Sequence, residues 1–281
     1  MTEATDVPPG VDPTRPTTAR IYDYFLGGTN NFPVDRQVAE KLKADAPDAV
    51  DAVMANRGFH GRAAVWMARQ RVRQFIDLGS GLPTQNNTHE SVRRVIPKAR
   101  VVYVDVDPMV AAHAGRLLAG DGSTAVITAD IRQPDAVLGH PALRKLIDLT
   151  EPAGVLATDV MHFIADGSDP WGLIARYLAA LAPGSYLALS HVTTDKLPPQ
   201  MADDVLGTMR KSALDLHMRS SQEVLRFFEG LELVAPYEGA KPGLTYAGLW
   251  GAEDLASADT EGSRVFYCGV ARRPEGFTAG D

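Results

Sequence analysis

The run Phe75-Ile76-Asp77-Leu78-Gly79-Ser80-Gly81 ends an apolar stretch in a carboxylate and two glycines one residue apart. That order reads as a buried strand whose last residues turn sharply beneath a ligand, where glycine lets the backbone come close. A second apolar run, Val101 to Val106, presents its first carboxylate at Asp105, beside Val106 and 24 positions after Gly81. This is near the spacing at which a nucleotide-binding α/β unit offers an acid to ribose hydroxyls. Together the two stretches predict a ligand that contains adenosine.

The phosphate-bearing alternative fits less well. Gly79-Ser80-Gly81-Leu82-Pro83-Thr84 has the first two glycines of a dinucleotide fingerprint, but Thr84 stands where close helix packing wants glycine or alanine. Pro83 removes an amide, and Asp77 would set a negative charge beside a pyrophosphate that needs amides and a helix N-terminus. NAD is therefore the weaker reading.

The elements that must position these residues alternate. Val34, Val38 and Leu42, and after Pro47 Val50, Val53 and Met54, keep a helical period that the proline interrupts. Phe59, Ala63, Val65, Trp66 and Ala68 extend it to the first strand, and the arginines at 57, 62, 69, 71 and 73 read as a solvated helix face. Asn87 or Thr88 can cap a short helix after the glycine turn, with His89 as a capping neighbour, and Asp107 suits the cap of the helix begun by Pro108. Thr124 to Ala129, Gly154 to Thr158 and Tyr186 to Ser190 read as strands, with helical stretches from Pro134 to Leu149 and Trp171 to Leu181 between them. Apolar runs separated by helices are what a parallel sheet covered on both faces requires. Met201 to Leu216 and Ser221 to Phe228 are helical. Leu231 to Ala235 and Arg264 to Ala271 then close the sheet as an antiparallel pair, because little helical sequence separates them.

With 281 residues, 45% of them hydrophobic, the chain can bury one sizeable core with additions. Residues 1–19, with four prolines before position 17, read as a flexible arm. Residues 20–273 read as a single domain, with 20–73 as an N-terminal lid and helices, and residues 274–281 as a tail. A formal charge of -7 argues against a nucleic-acid partner, which needs a basic face. No apolar run approaches the roughly 18 residues that span a bilayer, and Met1 to Arg20 lacks the apolar core of a signal peptide. A cytoplasmic location is expected. The single cysteine, Cys268, lies in the apolar run Val265 to Val270 and reads as a buried structural thiol; no metal site is expected.

Arg20-Ile21-Tyr22-Asp23-Tyr24-Phe25-Leu26-Gly27-Gly28-Thr29-Asn30-Asn31-Phe32-Pro33 groups aromatics beside a Gly-Gly turn. Either it docks its aromatics on the core, or it closes over a ligand and brings Tyr22 and Asn30 to the site. Trp250 and Tyr246, on the linker Glu238 to Glu261, either wall a pocket or pack a lid.

In this order, Arg20 to Pro33, Asp77 to Thr84 and Asp159-Val160-Met161-His162-Phe163 resemble a family of actinobacterial S-adenosyl methyltransferases of unknown acceptor, within the class I S-adenosylmethionine-dependent methyltransferases. The resemblance covers about residues 17 to 273. It implies an α/β, doubly wound, mostly parallel seven-stranded sheet of order 3-2-1-4-5-7-6, its last strand antiparallel, with an N-terminal helical extension. It also implies S-adenosyl-L-methionine as cofactor. Asp77, Gly79, Ser80 and Gly81 would lie under its methionine part, Asp105 and Val106 at the ribose, and Asp130 with Ile131 at the adenine. Asp159 to His162 would face the methyl group. A sulfonium and an ammonium suit a strand-end carboxylate, so the chemistry agrees with the match.

Methyl transfer needs alignment, and a base only where the acceptor arrives protonated. The candidates are His162, Asp159, His191 and Tyr22; for a histidine at a strand end, a satisfied hydrogen-bonding role is an equal alternative. Two functions stand. One is a methyltransferase acting on a small aromatic or hydroxylated molecule; the other is a non-catalytic S-adenosylmethionine-binding module for regulation or interaction. The enzyme is favoured.

Overall fold

Five apolar runs pair side by side in parallel: β1 (Gln74–Leu78), β2 (Arg100–Asp105), β3 (Thr124–Thr128), β4 (Gly154–Thr158) and β5 (Tyr186–Val192). In this computed structural model, which describes residues 7–84, 86–118 and 120–278, three more strands complete the sheet: β6 (Glu232–Leu233), β7 (Thr245–Tyr246) and β8 (Phe266–Arg272). The order is β3-β2-β1-β4-β5-β8-β6, and β7 also pairs with β8. The long last strand lies antiparallel between β5 and the edge, as the sequence and the resemblance imply. The sheet has eight strands and not seven because Thr245–Tyr246, read as linker, bonds to β8 beyond the place where β6 ends.

Alternation along each strand divides the core. Ile76, Leu78, Val102 and Val104 face one cluster, covered by the helices α6 (Pro134–Leu138), α7 (Pro141–Leu146), α8 (Pro170–Ala179) and α10 (Ser221–Leu225). Phe75, Val101 and Tyr103 face the other, where α3 (Ala49–Arg69) and α4 (Thr88–Arg93) pack. Covering both faces is what buries the apolar runs entirely. The remaining helices are α1 (Thr18–Phe25), α2 (Pro33–Asp45), α5 (Pro108–Leu117) and α9 (Pro199–Lys211). α1, α2 and α9 share a small apolar cluster of their own.

The stretch Pro134 to Leu149 is two short helices, because Pro141 holds His140 extended at φ -62°, ψ 131°. The arginine face of α3 is divided too. Arg62 donates to the carbonyls of Ala247, Gly248 and Trp250, so it ties the linker to the helix. Trp250 is buried against Phe59 and Trp66 at 5.6 and 6.0 Å, and Cys268 is buried as expected.

Part of the stretch read as an arm is packed. Val11 lies against the cluster of Leu82, Met109 and Val110. Thr17 caps α1 through Arg20 N–H and donates to Asp107 at 2.8 Å. Arg20, 1% exposed, binds Asp35 at 2.8 Å and the carbonyls of Asp12 and Arg15. Residues 1–6 and 279–281, at the ends of the expected arm and tail, lie outside the described residues. Among the described residues, no helix is long and apolar enough to cross a membrane.

Candidate functional site

A parallel sheet brings every strand's carboxyl end to one edge, and a cavity of about 700 Å³ opens there. Its lining includes Asp77, Gly79, Ser80 and Gly81 after β1, Asp105 and Val106 after β2, Asp130 and Ile131 after β3, and Asp159 and His162 after β4. Tyr22 of α1 also lines it. Two predicted residues do not. Asn30 donates its backbone N–H to Asp23 at 2.9 Å and so serves the fold-back after α1. His191 points to the opposite side of β5, where its Nε2 accepts from Arg219 at 2.6 Å and its Nδ1 donates to the Val192 carbonyl. Burial pulls it down to about 3; it is a satisfied structural histidine.

The glycine turn is dictated by its surroundings. Gly79, at φ +66°, donates to the Val104 carbonyl at 2.8 Å, and a Cβ there would lie 2.8 Å from Val160 Cβ and nearer to a Val160 methyl. Gly81, at φ +63°, would point a Cβ at nothing within 4 Å, so its bare backbone borders open space in the cavity. Its N–H donates to one oxygen of Asp105 at 2.8 Å, and Asp107 N–H to the other at 2.9 Å. Each oxygen keeps a lone pair for a further donor. Burial holds the Asp105 carboxyl above its ordinary value despite these bonds. Asp107 caps α5 at 2.9 Å, as predicted.

Asp77 is buried behind the turn. It accepts from Thr88 Oγ1 at 2.5 Å, and burial pushes it up to about 7 against that bond and the charge of Arg57. His60 stands between Thr88 and Thr158, 2.8 Å from each hydroxyl, and burial holds it neutral, well below its ordinary value. Asp130 is gripped by Arg132 through contacts of 2.6–3.0 Å, chiefly by hydrogen bonding, which lowers its pKa.

Asp159 adopts φ +59°, a left-handed conformation that costs most non-glycine residues and that aspartate tolerates better than most. Its N–H donates to Ser190 Oγ at 3.0 Å, Ser190 donates to Asn56 Oδ1 at 2.5 Å, and Asn56 Nδ2 donates to the Tyr22 hydroxyl at 3.1 Å. His162 Nε2 lies 3.3 Å from Asp159 Oδ1. Burial pushes Asp159 up to about 8 and holds His162 well below its ordinary value, with His191 and Arg219 adding to the latter. A protonated Asp159 and a neutral His162 is therefore the state near neutral pH. The sequence reading did not find Asn56, Ser190, His60 or Thr88: a lone polar residue in an apolar helix or strand is the only local signal any of them leaves. Arg57, read as part of a solvated face, lines the cavity.

A model of a family described as S-adenosyl methyltransferase matches residues 4–274. Among solved structures, a candidate methyltransferase from Thermobifida fusca is 37% identical, with a TM-score of 0.88 over 96% of this chain and 100% of the other. A DUF574 family protein from Streptomyces avermitilis is 36% identical, with a TM-score of 0.87 over 94% and 99%. An O-methyltransferase family protein from Burkholderia thailandensis, 14% identical over 83% of this chain and 60% of the other with a TM-score of 0.50, shares the fold alone. No curated protein matches. The chain belongs to the S-adenosyl methyltransferase family.

Proposed function

We propose that this S-adenosyl methyltransferase family member holds S-adenosylmethionine in the strand-end cavity and transfers its methyl group to a small molecule. One observation carries the reading: the carboxylates Asp77, Asp105, Asp130 and Asp159 stand in a row along the cavity beside a turn whose Gly81 presents no side chain. When bound, the donor supplies an electrophilic methyl on a positively charged sulfur, next to an ammonium. A wall of carboxylates suits such a cation, and the residues present fit it.

In this reading Asp105 accepts from the ribose hydroxyls with the lone pairs that its two backbone bonds leave. Val106, 66% exposed at the end of β2, offers apolar surface to the adenine, and Asp130 with Ile131 borders its edge. Asp77 and the backbone from Gly79 through Ser80 to Gly81 lie beneath the methionine part. α1 covers the site and supplies Tyr22, while Asn30 stabilises the bend that lets α1 do so. Asp159 takes a proton from the acceptor, and the donor's positive charge draws its pKa down from about 8 to favour the carboxylate. His162 Nε2–H bonds to that carboxylate and orients it.

Thermal unfolding with S-adenosylhomocysteine or NAD tests the assignment. The former at about 100 times its Kd stabilises by roughly 2.7 kcal/mol, and NAD leaves the melting temperature unchanged. An equal shift with NAD would sink the reading.

A further inference from the structure

The cavity has two unlike ends. Beyond Asp159 its walls carry no charge: Ile21 and Phe25 come from α1, Leu42 from α2, Phe163 from the turn after β4, and Val205 and Met209, one turn apart, from α9. All six belong to or pack on the small cluster that α1, α2 and α9 share, which is separate from the two clusters that hold the sheet. The carboxylates after β1, β2 and β3 are not part of this end. Asp159 and His162 stand at the junction, with His162 against Phe163 at 4.3 Å. Arg57 lines the cavity one turn along α3 from Val53.

We infer that the methyl acceptor is an uncharged, largely apolar molecule bearing a hydroxyl, its body against α1, α2 and α9 and its oxygen at Asp159. This rests on reading the cavity as a methyl-transfer site. A sulfonate, phosphate or carboxylate on the body of the acceptor would have to shed its water against these six apolar side chains. The same apolar side chains disfavour a basic nitrogen, because an ammonium on the acceptor would lose its water against them. Phenols fit Asp159 best. A phenol at ~10 yields its proton to a carboxylate far more readily than an aliphatic hydroxyl, which is a much weaker acid.

The step balances. The hydroxyl proton passes to an oxygen of the Asp159 carboxylate, and the oxygen's electron pair forms the new O–CH3 bond. The S–CH3 bond breaks with its pair left on sulfur, giving the neutral thioether of S-adenosylhomocysteine, and Asp159 returns its proton to solvent when the products leave.

The experiment measures S-adenosylhomocysteine formed from S-adenosylmethionine with 2-naphthol, 4-phenylphenol, 2-naphthol-6-sulfonate and tyramine, alongside S-adenosylhomocysteine binding by calorimetry. Turnover is expected with the two neutral phenols, at least about 10-fold above the sulfonate and the amine. Asp159→Asn lowers it by about 100-fold or more and leaves S-adenosylhomocysteine affinity within about 2-fold, because the thioether lacks the charge that Asp159 faces. Val205→Asp, which sets a charge in the apolar end, lowers turnover of the neutral phenols by about 10-fold or more at unchanged S-adenosylhomocysteine affinity. The near-isosteric Val205→Thr acts in the same direction should the aspartate variant fail to fold. Equal turnover of the sulfonate and 2-naphthol overturns the inference, as does S-adenosylhomocysteine binding without turnover of either neutral phenol. Failure of S-adenosylhomocysteine to bind takes down the site reading and the inference with it.

Discussion

Two glycines two positions apart should respond differently to the same substitution, one chiefly in stability and the other chiefly in ligand affinity. At Gly79 an alanine is penalised twice. It must hold φ +66°, which costs an L-residue about 1–2 kcal/mol, and its Cβ meets the buried side of Val160, an overpacking that adds about 1–3 kcal/mol. The total is about 2–5 kcal/mol, a fall in melting temperature of about 4–10 °C for a chain this long. At Gly81 the conformational penalty is similar, at φ +63°, but the Cβ meets nothing. Stability therefore falls by only about 1–2 kcal/mol, whereas the new methyl projects toward the cavity and lowers S-adenosylmethionine affinity by about 10-fold or more, ~1.4 kcal/mol. Calorimetric unfolding and isothermal titration on each variant separate the two effects. Val160→Ala should rescue Gly79→Ala in part, because it removes the nearer methyl but leaves the Cβ contact at 2.8 Å; a coupling of about 0.5–2 kcal/mol is expected in a double-mutant cycle, and none for Gly81→Ala. If Gly81→Ala destabilises as much as Gly79→Ala, or binds the donor as the natural protein does, the proposed seat of the ligand on this turn is refuted.

Asp105→Ala should weaken donor binding by about 1.5–3 kcal/mol, the worth of charge-assisted bonds to the ribose; titration at constant salt with a circular-dichroism check of folding reads it. Asp77 and Asp159 are held by burial at about 7 and about 8, far above ~3.9 in the unfolded chain. Above pH ~7 the unfolded chain's histidines no longer hold the protons that buried His60, His162 and His191 lack, so between pH ~7 and ~8 the folded protein binds more protons than the unfolded chain and stability should fall as pH rises through that window. Saturating S-adenosylmethionine should flatten the fall by favouring the carboxylates, as urea titrations at about pH 7 and 8.5 would reveal; a stability that rises over the window would contradict it. Arg20→Ala should cost about 3–5 kcal/mol, because it leaves Asp35 buried at 0% exposure without its partner. Thermal melts would detect this, and a loss under 1 kcal/mol would mean that residues 12–20 are not held through this side chain. Asn56→Leu, which severs the link from Tyr22 to Ser190, should lower turnover more than donor affinity, a split that steady-state kinetics and titration measure side by side.

The positions that face the cavity from the sheet were legible in the sequence, for a general reason. Apolar runs alternating with helices specify a parallel sheet, and a parallel sheet delivers all its strand ends to one edge. The residues that close those runs, Asp77, Gly79, Gly81, Asp105, Asp130 and Asp159, must then share a rim whatever the detailed packing, and they do. What the chain's order could not settle is which way a polar side chain turns inside an apolar run. His191 and Ser190 are neighbours on β5, yet the pleat sends Ser190 to Asn56, 134 residues away, and His191 to Arg219 on the other face. Asn30 has the composition of a site residue but bonds to Asp23, because Gly27 at φ +77° turns the chain back before it reaches the cavity. The pKa of Asp159 is likewise a tertiary property. An aspartate anywhere in a sequence has the same intrinsic acidity, and only the packing that strips its water lifts it to about 8.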